Sequence, residues 1–327
     1  MARLTEPVGA TPMINQEANE LRESKPCCIC NADQHKEVYQ WPANYYSHQE
    51  FETASWDGRQ SLPLSIVKCS SCQMVYTRPS FKLESLSLVY PDDIVPPEIK
   101  PDVVLKSTKW QAIIDEMKLH LPEGASACDI GTRYGVLVKQ LADAGFKSWG
   151  VEYNPIAVQK SVELGVSNVF VGVIADIAKI CKEQSFSNVN AFVMDDVLEH
   201  LVHPLEDLKV LASVQKSGDF VFARQMDWNS LGHKLYGKKW YYLQPGAHMY
   251  FFNADTAGKL FDAAGYDIVA IRKASLKTNL RSIFQRAITR AKKLMGRGPI
   301  WKINGKEMYL AKRGKLSDMF LVVARKR

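Results

Sequence analysis

Four cysteines fall in two pairs, Cys27-x-x-Cys30 and Cys69-x-x-Cys72. Two such pairs on separate turns make a tetrahedral thiolate set, which is zinc chemistry. Cys28 stands beside the first pair and is an alternative to Cys27. Further on, "DIGTRYG" carries Asp129, Gly131 and Gly135, "GVEYNP" carries Glu152, and "MDDVLEH" carries Asp195, Asp196, Leu198, Glu199 and His200. An acid, a glycine-bracketed turn and a second acid 21 residues after Gly131 suit a nucleotide-type ligand. The glycines let backbone approach the ligand, and the second acid accepts from two ribose hydroxyls. Three of the seven histidines lie where they could take a proton near neutral pH: His200, His203 and His248 in "QPGAHMYFF". Of these, His203 is expected to face solvent.

The elements that must position these groups alternate. "ASACDIG" reads as a strand and "GVLVKQLADAG" as a helix; "SWGVEYN" is a strand, followed by a helix opening at Pro155. "NVFVGVIAD" and "NVNAFVMDD" continue the strands, "PLEDLKVLASVQ" is a helix, and "GDFVFARQ" is a fifth strand. "NADTAGKLFDAAG" is a helix with an Asn or Asp cap, "YDIVAIRKA" a sixth strand and "SDMFLVVARK" a seventh. This pattern predicts an α/β fold with a doubly wound, seven-stranded, Rossmann-like sheet. Ligands of such sheets sit beyond the carboxyl ends of the strands, where Asp129, Glu152 and Asp195 fall. Between the Cys pairs, a stretch rich in Trp, Tyr, Pro and His predicts a small module needing a metal staple.

Two ligand classes share this geometry, dinucleotides and S-adenosylmethionine. The dinucleotide turn is G-x-G-x-x-G, whereas this one is G-x-x-x-G and opens on an acid. An anion there repels a pyrophosphate and attracts a sulfonium and an ammonium, so charge favours S-adenosylmethionine. Arg133 occupies a position where glycine is usual.

Together "DIGTRYG", "GVEYNP", "MDDVLEHLVHPLEDL", "GAHMYFFNADTAGKLFDAAGYDI" and the closing "LVVARK" resemble the class I S-adenosylmethionine-dependent methyltransferases. The match is closest to bacterial members with an N-terminal zinc-binding Cys-x-x-Cys module, many of which act on sugars or surface glycans. It covers about residues 26–273 and the last ten. The resemblance implies that Asp129, Gly131 and Gly135 line the methionine part of the cofactor, Glu152 its ribose and Asp176 its adenine. It places Asp195 or Asp196, Leu198 and Glu199 beside the transferred methyl group. Where zinc-containing sugar C-methyltransferases carry Tyr-His-Glu-His, this chain reads Pro245-Gly246-Ala247-His248. Only the last histidine survives, which favours O- over C-methylation, with His248 or His200 as the catalytic base. Trp240, Tyr241 and Tyr242 offer rings either to a sugar face or to a core.

Strands six and seven usually form a tight antiparallel pair in this superfamily. Here residues 275–316 separate them, inside a stretch (271–315) holding 14 Lys/Arg against the single acid Glu307. That stretch carries +13 of an overall +7, so the rest of the chain stands at −6. "NLRSIFQRAITRAKKLM" predicts a helix with one apolar stripe and basic flanks, suited to packing on the domain or to an anionic membrane surface or polyanion. The domain reading is therefore a flexible tail (1–25), a zinc module (26–80), a linker and helix (81–120), the cofactor-binding domain (121–274), a basic helical insert (275–316) and a final strand (317–327). No run of about 18 apolar residues is present. The first 25 residues lack a signal-type apolar core, so a cytoplasmic protein, peripheral at the inner membrane face, is expected. The function expected is O-methylation of a sugar hydroxyl on a glycan or glycolipid. An RNA methyltransferase and a non-catalytic scaffold with a degenerate pocket are the alternatives. No Asn/Asp-Pro-Pro-aromatic run follows the fourth strand, which counts against RNA base methylation.

Overall fold

The computed structural model describes residues 22–41, 64–82, 108–186, 188–240, 242–244, 247–274 and 318–327. The expected tail and the basic insert lie outside the described residues, apart from Arg22–Lys25 at the end of the tail. The first elements are strands β1 (Arg22–Glu23), β2 (His35–Trp41), β3 (Leu64–Cys69), β4 (Val75–Arg78) and β5 (Ser80–Phe81). Strands β2, β3 and β4 pair antiparallel, and β1 pairs with β5. Cys69 closes β3 and Cys72 lies in the turn to β4, while Cys27 and Cys30 bracket a turn ahead of β2.

Helix α1 (Gln111–His120) buries Ile113, Ile114 and Met117, the stripe that helical spacing predicts. The alternating part follows: β6 (Ser126–Ile130), α2 (Val136–Asp143), β7 (Lys147–Glu152), α3 (Pro155–Glu163), β8 (Val169–Val171), α4 (Ile177–Glu183), β9 (Ala191–Asp195), α5 (Pro204–Ser213) and β10 (Phe220–Met226). Then come α6 (Leu231–Tyr236), β11 (Tyr250–Phe251), α7 (Ala254–Ala263), β12 (Tyr266–Ala274) and β13 (Met319–Lys326). Asn253 starts its helix as the residue type predicts, and Asn154 caps the helix expected to open at Pro155. Asn154 accepts from the Ile156 and Ala157 amides ahead of Pro155, and Asn253 accepts from the Thr256 amide.

Seven strands form one sheet in the order β12-β13-β10-β9-β6-β7-β8. β10, β9, β6, β7 and β8 run parallel, and β13 is antiparallel to both its neighbours. Side chains alternate between two apolar layers. Cys128, Phe192, Met194, Val221 and Val322 face the layer that holds Ile177, Leu208 and Phe261 of α4, α5 and α7. Ala127, Val193, Phe222, Leu321 and Val323 face the layer of α1 and α2. A sheet covered on both sides needs such near-continuous apolar strands.

Asp176 departs from its expected place, and a short strand ties the two sheets together. β8 stops at Val171, and Asp176 lies five residues later in a 3₁₀ turn leading into α4, not at a strand end. β11 does not join the large sheet; it pairs antiparallel with β4, giving a four-stranded sheet β11-β4-β3-β2 that welds the cysteine module to the main domain. Among the described residues no helix is long and apolar enough to cross a membrane.

Candidate functional site

The glycine turn follows β6. Gly131, Arg133 and Gly135 all take positive φ, at 67°, 58° and 70°. A Cβ at Gly131 would stand 2.9 Å from Val197 Cγ2, and one at Gly135 2.8 Å from Val166 Cγ1, so neither position has room for a side chain. Arg133 accepts the left-handed backbone that glycine usually supplies. Its side chain is exposed, with the guanidinium 5.2 Å from the Tyr134 ring. Its amide donates to Glu152 Oε2 at 2.7 Å, and the Asn154 amide donates to Oε1 at 2.9 Å. The irregular residue thus helps aim the acid at the end of β7. Asp129 is buried at the end of β6, and burial pushes its carboxyl up to about 8.

At the end of β9, Asp195 is the hub of an ion-pair network. Arg224 Nε of β10 donates to its Oδ1 at 2.6 Å, Lys109 Nζ stands 2.8 Å from Oδ2, and Trp110 Nε1 donates to Oδ2 at 2.6 Å. Burial works against the Asp195 charge, but Arg224 and Lys109 win and hold its carboxyl below the usual range. Asp196, in left-handed backbone at φ 57°, pairs with Lys109 at 3.2 Å; burial and the Asp195 charge raise its pKa. Lys109, Trp110 and Arg224 join the site through contacts that local sequence pattern does not show. The available signal was an arginine inside the apolar strand "GDFVFARQ", because a buried arginine needs a buried acid.

The next turn, Leu198–His200, buries Leu198 and Glu199. Both carboxylate oxygens of Glu199 are buried and without a hydrogen-bond partner, and burial pushes this acid well up. His200 and His248 stand edge to face, with ring centroids 4.6 Å apart. His200 Nδ1 bonds the Ala247 carbonyl at 3.0 Å, and His248 Nδ1 the Tyr242 carbonyl at 2.7 Å. Burial lowers both, His200 to about 4 and His248 well below the usual value. His203 is exposed at the start of α5, away from this pair. The cysteine module braces the loop from behind. Thr77 of β4 donates its hydroxyl to the His248 carbonyl at 2.9 Å and its amide to the Met249 carbonyl at 2.9 Å; the Met249 amide donates to the Glu199 carbonyl at 2.8 Å.

Other expected residues fall apart from this centre or nearer the core. The Asp176 carboxylate accepts from the Val173 amide in its own turn at 2.9 Å. Trp240 is buried, with Nε1 3.3 Å from Asp318 Oδ2, so its ring is core and not a sugar platform. Tyr241 lies outside the described residues. In the cysteine module, Cys27 Sγ and Cys72 Sγ are 3.3 Å apart, and Cys30 Sγ and Cys69 Sγ 3.5 Å. All four sulfurs lie within 4.8 Å of one another. Four thiolates on one zinc stand about 3.8 Å apart, so the set is close to coordination geometry. Burial pushes the Cys72 thiol up, and burial also opposes Cys69, yet the amides of Cys72 and Ser71 bring Cys69 down to about 7.

A parallel sheet closed by one antiparallel strand, a glycine turn after its first strand and an acid ending its second define an S-adenosylmethionine-dependent methyltransferase. The model of the methyltransferase-domain family matches residues 106–271, and the chain belongs to that family. Solved structures similar to this chain include a SAM-dependent methyltransferase from Archaeoglobus fulgidus, at 16% identity over 66% of this chain and 94% of the other, with a TM-score of 0.44. Magnesium protoporphyrin IX methyltransferase from Synechocystis PCC 6803 with bound SAH shares 15% identity over 74% and 96% of the two chains, with a TM-score of 0.45. A SAM-dependent methyltransferase from Aquifex aeolicus gives 15%, 70%, 100% and 0.40. No curated protein matches the chain in sequence. The residues present suit the cofactor: Asp129 and Asp196 are acids whose charge burial disfavours, and a cationic ligand relieves them.

Proposed function

We propose that this methyltransferase O-methylates a sugar hydroxyl of a glycan or glycolipid. The observation that carries the reading is the convergence of Glu199, His200 and His248, just beyond the carboxyl end of β9. A hydroxyl acceptor must lose a proton, and this polar cluster is where the chain can assist that loss. The cofactor supplies an electrophilic methyl group on a sulfonium. On the protein side, the Gly131–Gly135 turn and Asp129 hold its methionine part, and Glu152 its ribose. Asp176 stands toward its adenine, and Asp196, Leu198 and Glu199 bound the methyl end. His248 and His200 face the acceptor and, with Glu199, ease the loss of its proton. Cys27, Cys30, Cys69 and Cys72 hold a structural zinc, which keeps β3 and β4 in place behind His248. The basic segment 275–316 supports an acceptor presented on an anionic membrane surface, such as a lipid-linked glycan.

Calorimetry with S-adenosylhomocysteine tests the cofactor, and transfer of a labelled methyl group to nucleotide sugars, lipid-linked glycans and RNA tests the acceptor. Base-stable label on a sugar oxygen supports the reading. Label on RNA alone overturns it in favour of RNA methylation, and a zinc-loaded, folded protein that binds no cofactor overturns it in favour of a scaffold. Elemental analysis should find one zinc per chain, lost on Cys72→Ser.

A further inference from the structure

We propose that Glu199, His200 and His248 form a second metal site, for a divalent cation that binds the acceptor hydroxyl. The proposal rests on the hydroxyl-acceptor reading for its role but not for its existence. Three independent observations point to an ion.

The first is convergence. One ligand atom from each residue lies within 4.8 Å of the others, although Glu199 and His248 are far apart in sequence. Facial ligands on one ion are about 3 Å apart, a gap that small side-chain rotations close. The second is the Glu199 carboxylate. It is 1% exposed and neither oxygen has a donor, so as it stands it is a buried acceptor pair with nothing to accept. Burying such a group unpaired is costly, and a cation is the natural complement for two unpartnered carboxylate oxygens.

The third is the tautomer of the two histidines. Carbonyls only accept, so the bonds from His200 Nδ1 to Ala247 and from His248 Nδ1 to Tyr242 place the ring proton on Nδ1 in both. Nε2 is then the unprotonated nitrogen of each ring. A backbone carbonyl orienting one ring nitrogen while the other coordinates is the usual outer support of a metal-bound histidine.

Two imidazoles and one carboxylate suit Mn²⁺, Fe²⁺, Co²⁺ or Zn²⁺ better than the all-oxygen preferences of Mg²⁺ or Ca²⁺. Three protein ligands leave coordination positions for an acceptor oxygen. Coordination makes that hydroxyl more acidic, so its proton leaves to water without a strong base. The oxygen then bonds to the methyl carbon as the carbon–sulfur bond breaks, with its electron pair staying on sulfur. The position of the cysteine module fits this role. Thr77 holds the His248 and Met249 carbonyls, and Met249 holds Glu199, so two of the three ligands are fixed through backbone rather than through mobile side chains.

The test uses full-length protein carrying one zinc per chain, titrated with Mn²⁺ and followed by electron paramagnetic resonance, with wild type beside Glu199→Gln and His248→Gln. The result expected is one Mn²⁺ per wild-type chain showing imidazole nitrogen coupling, with affinity at least about tenfold weaker in each variant. Far-UV circular dichroism and a cooperative urea transition report whether each variant is folded. Wild type that binds no Mn²⁺ at millimolar concentration, or Mn²⁺ bound without nitrogen coupling, overturns the site. So does unchanged affinity in a folded variant. The wild-type titration decides even if both variants misfold. Nitrogen-coupled Mn²⁺ without any sugar methylation would keep the metal and discard the hydroxyl reading. Sugar methylation by a chain that binds no Mn²⁺ would do the reverse.

Discussion

Replacing Arg224 by methionine tests the charge network that sets the end of β9. The arginine side chain is 3% exposed and that of Asp195 6%, and they meet at 2.6 Å. Removing one partner of a buried pair typically costs 3–5 kcal/mol, because the other charge stays buried. Here Asp195 keeps Lys109 at 2.8 Å and the Trp110 indole at 2.6 Å, so the expected loss is at the low end, about 3 kcal/mol. Adding Asp195→Asn removes the stranded charge and should recover about 1–2 kcal/mol of that loss. The assay is urea unfolding followed by tryptophan fluorescence across the four members of the cycle. Acid adds a second reading. The Asp195 carboxyl is held low in the folded state, so its stabilisation is present above the unfolded-state value near 4 and is lost as pH falls below it. Arg224→Met should flatten that acid limb. A single variant within about 1 kcal/mol of wild type, or a double variant less stable than Arg224→Met, would refute the reasoning.

Asp129 predicts a pH dependence of opposite sign. Its folded-state value of about 8 means that below this pH the cofactor meets a neutral acid, so S-adenosylmethionine affinity should rise as pH climbs toward 8 and level off above. Calorimetry from pH 6 to 9 would show it, and Asp129→Asn should remove the slope. Without ligand the same group stabilises the fold most below about 4, and this contribution is lost as pH rises through about 8. Arg133→Gly relieves left-handed backbone worth about 1–2 kcal/mol but loosens the unfolded chain by up to about 1. Stability should hold or rise by up to about 1 kcal/mol, with S-adenosylhomocysteine affinity unchanged; a large loss of affinity would mean that the side chain itself serves the cofactor. Deleting residues 275–316 should abolish sedimentation with anionic vesicles while leaving cofactor affinity intact, and equal vesicle binding by the deleted form would sink the membrane reading.

The large sheet was legible because its signals are local. Alternating apolar faces, Asn154 before Pro155 and Asn253 three residues before Thr256 all act within a few positions. The cysteine quartet was legible because paired spacing has few other uses. What could not be read is long-range. Lys109 and Trp110 meet Asp195 across 85 or more residues, and no periodicity announces such a partner. Helix α6 leaves no sequence signal, because a six-residue segment among aromatics and glycines has too little pattern to show. The apolar run inside "NVFVGVIAD" predicts a strand up to Asp176, yet Gly172 admits a turn there and the Asp176 carboxylate caps it. Glu199, His200 and His248 are each legible as candidates, but their meeting is a long-range contact that no local pattern shows.

The strand β11 has a consequence for the order in which the molecule assembles. The cysteine quartet closes within the first 72 residues and can take its metal while the rest of the chain is still being made. Its sheet, however, lacks an outer strand until Tyr250 and Phe251 arrive, roughly 170 residues later. Until then β4 offers an open edge to any extended segment that reaches it. Covering that edge with the catalytic domain's own strand also sets the backbone beside His248. The backbone beside Glu199 and His248 is therefore completed only once β11 has been made. A fragment ending before residue 250 would keep its cysteines, lose this half of the site and expose a strand prone to self-association.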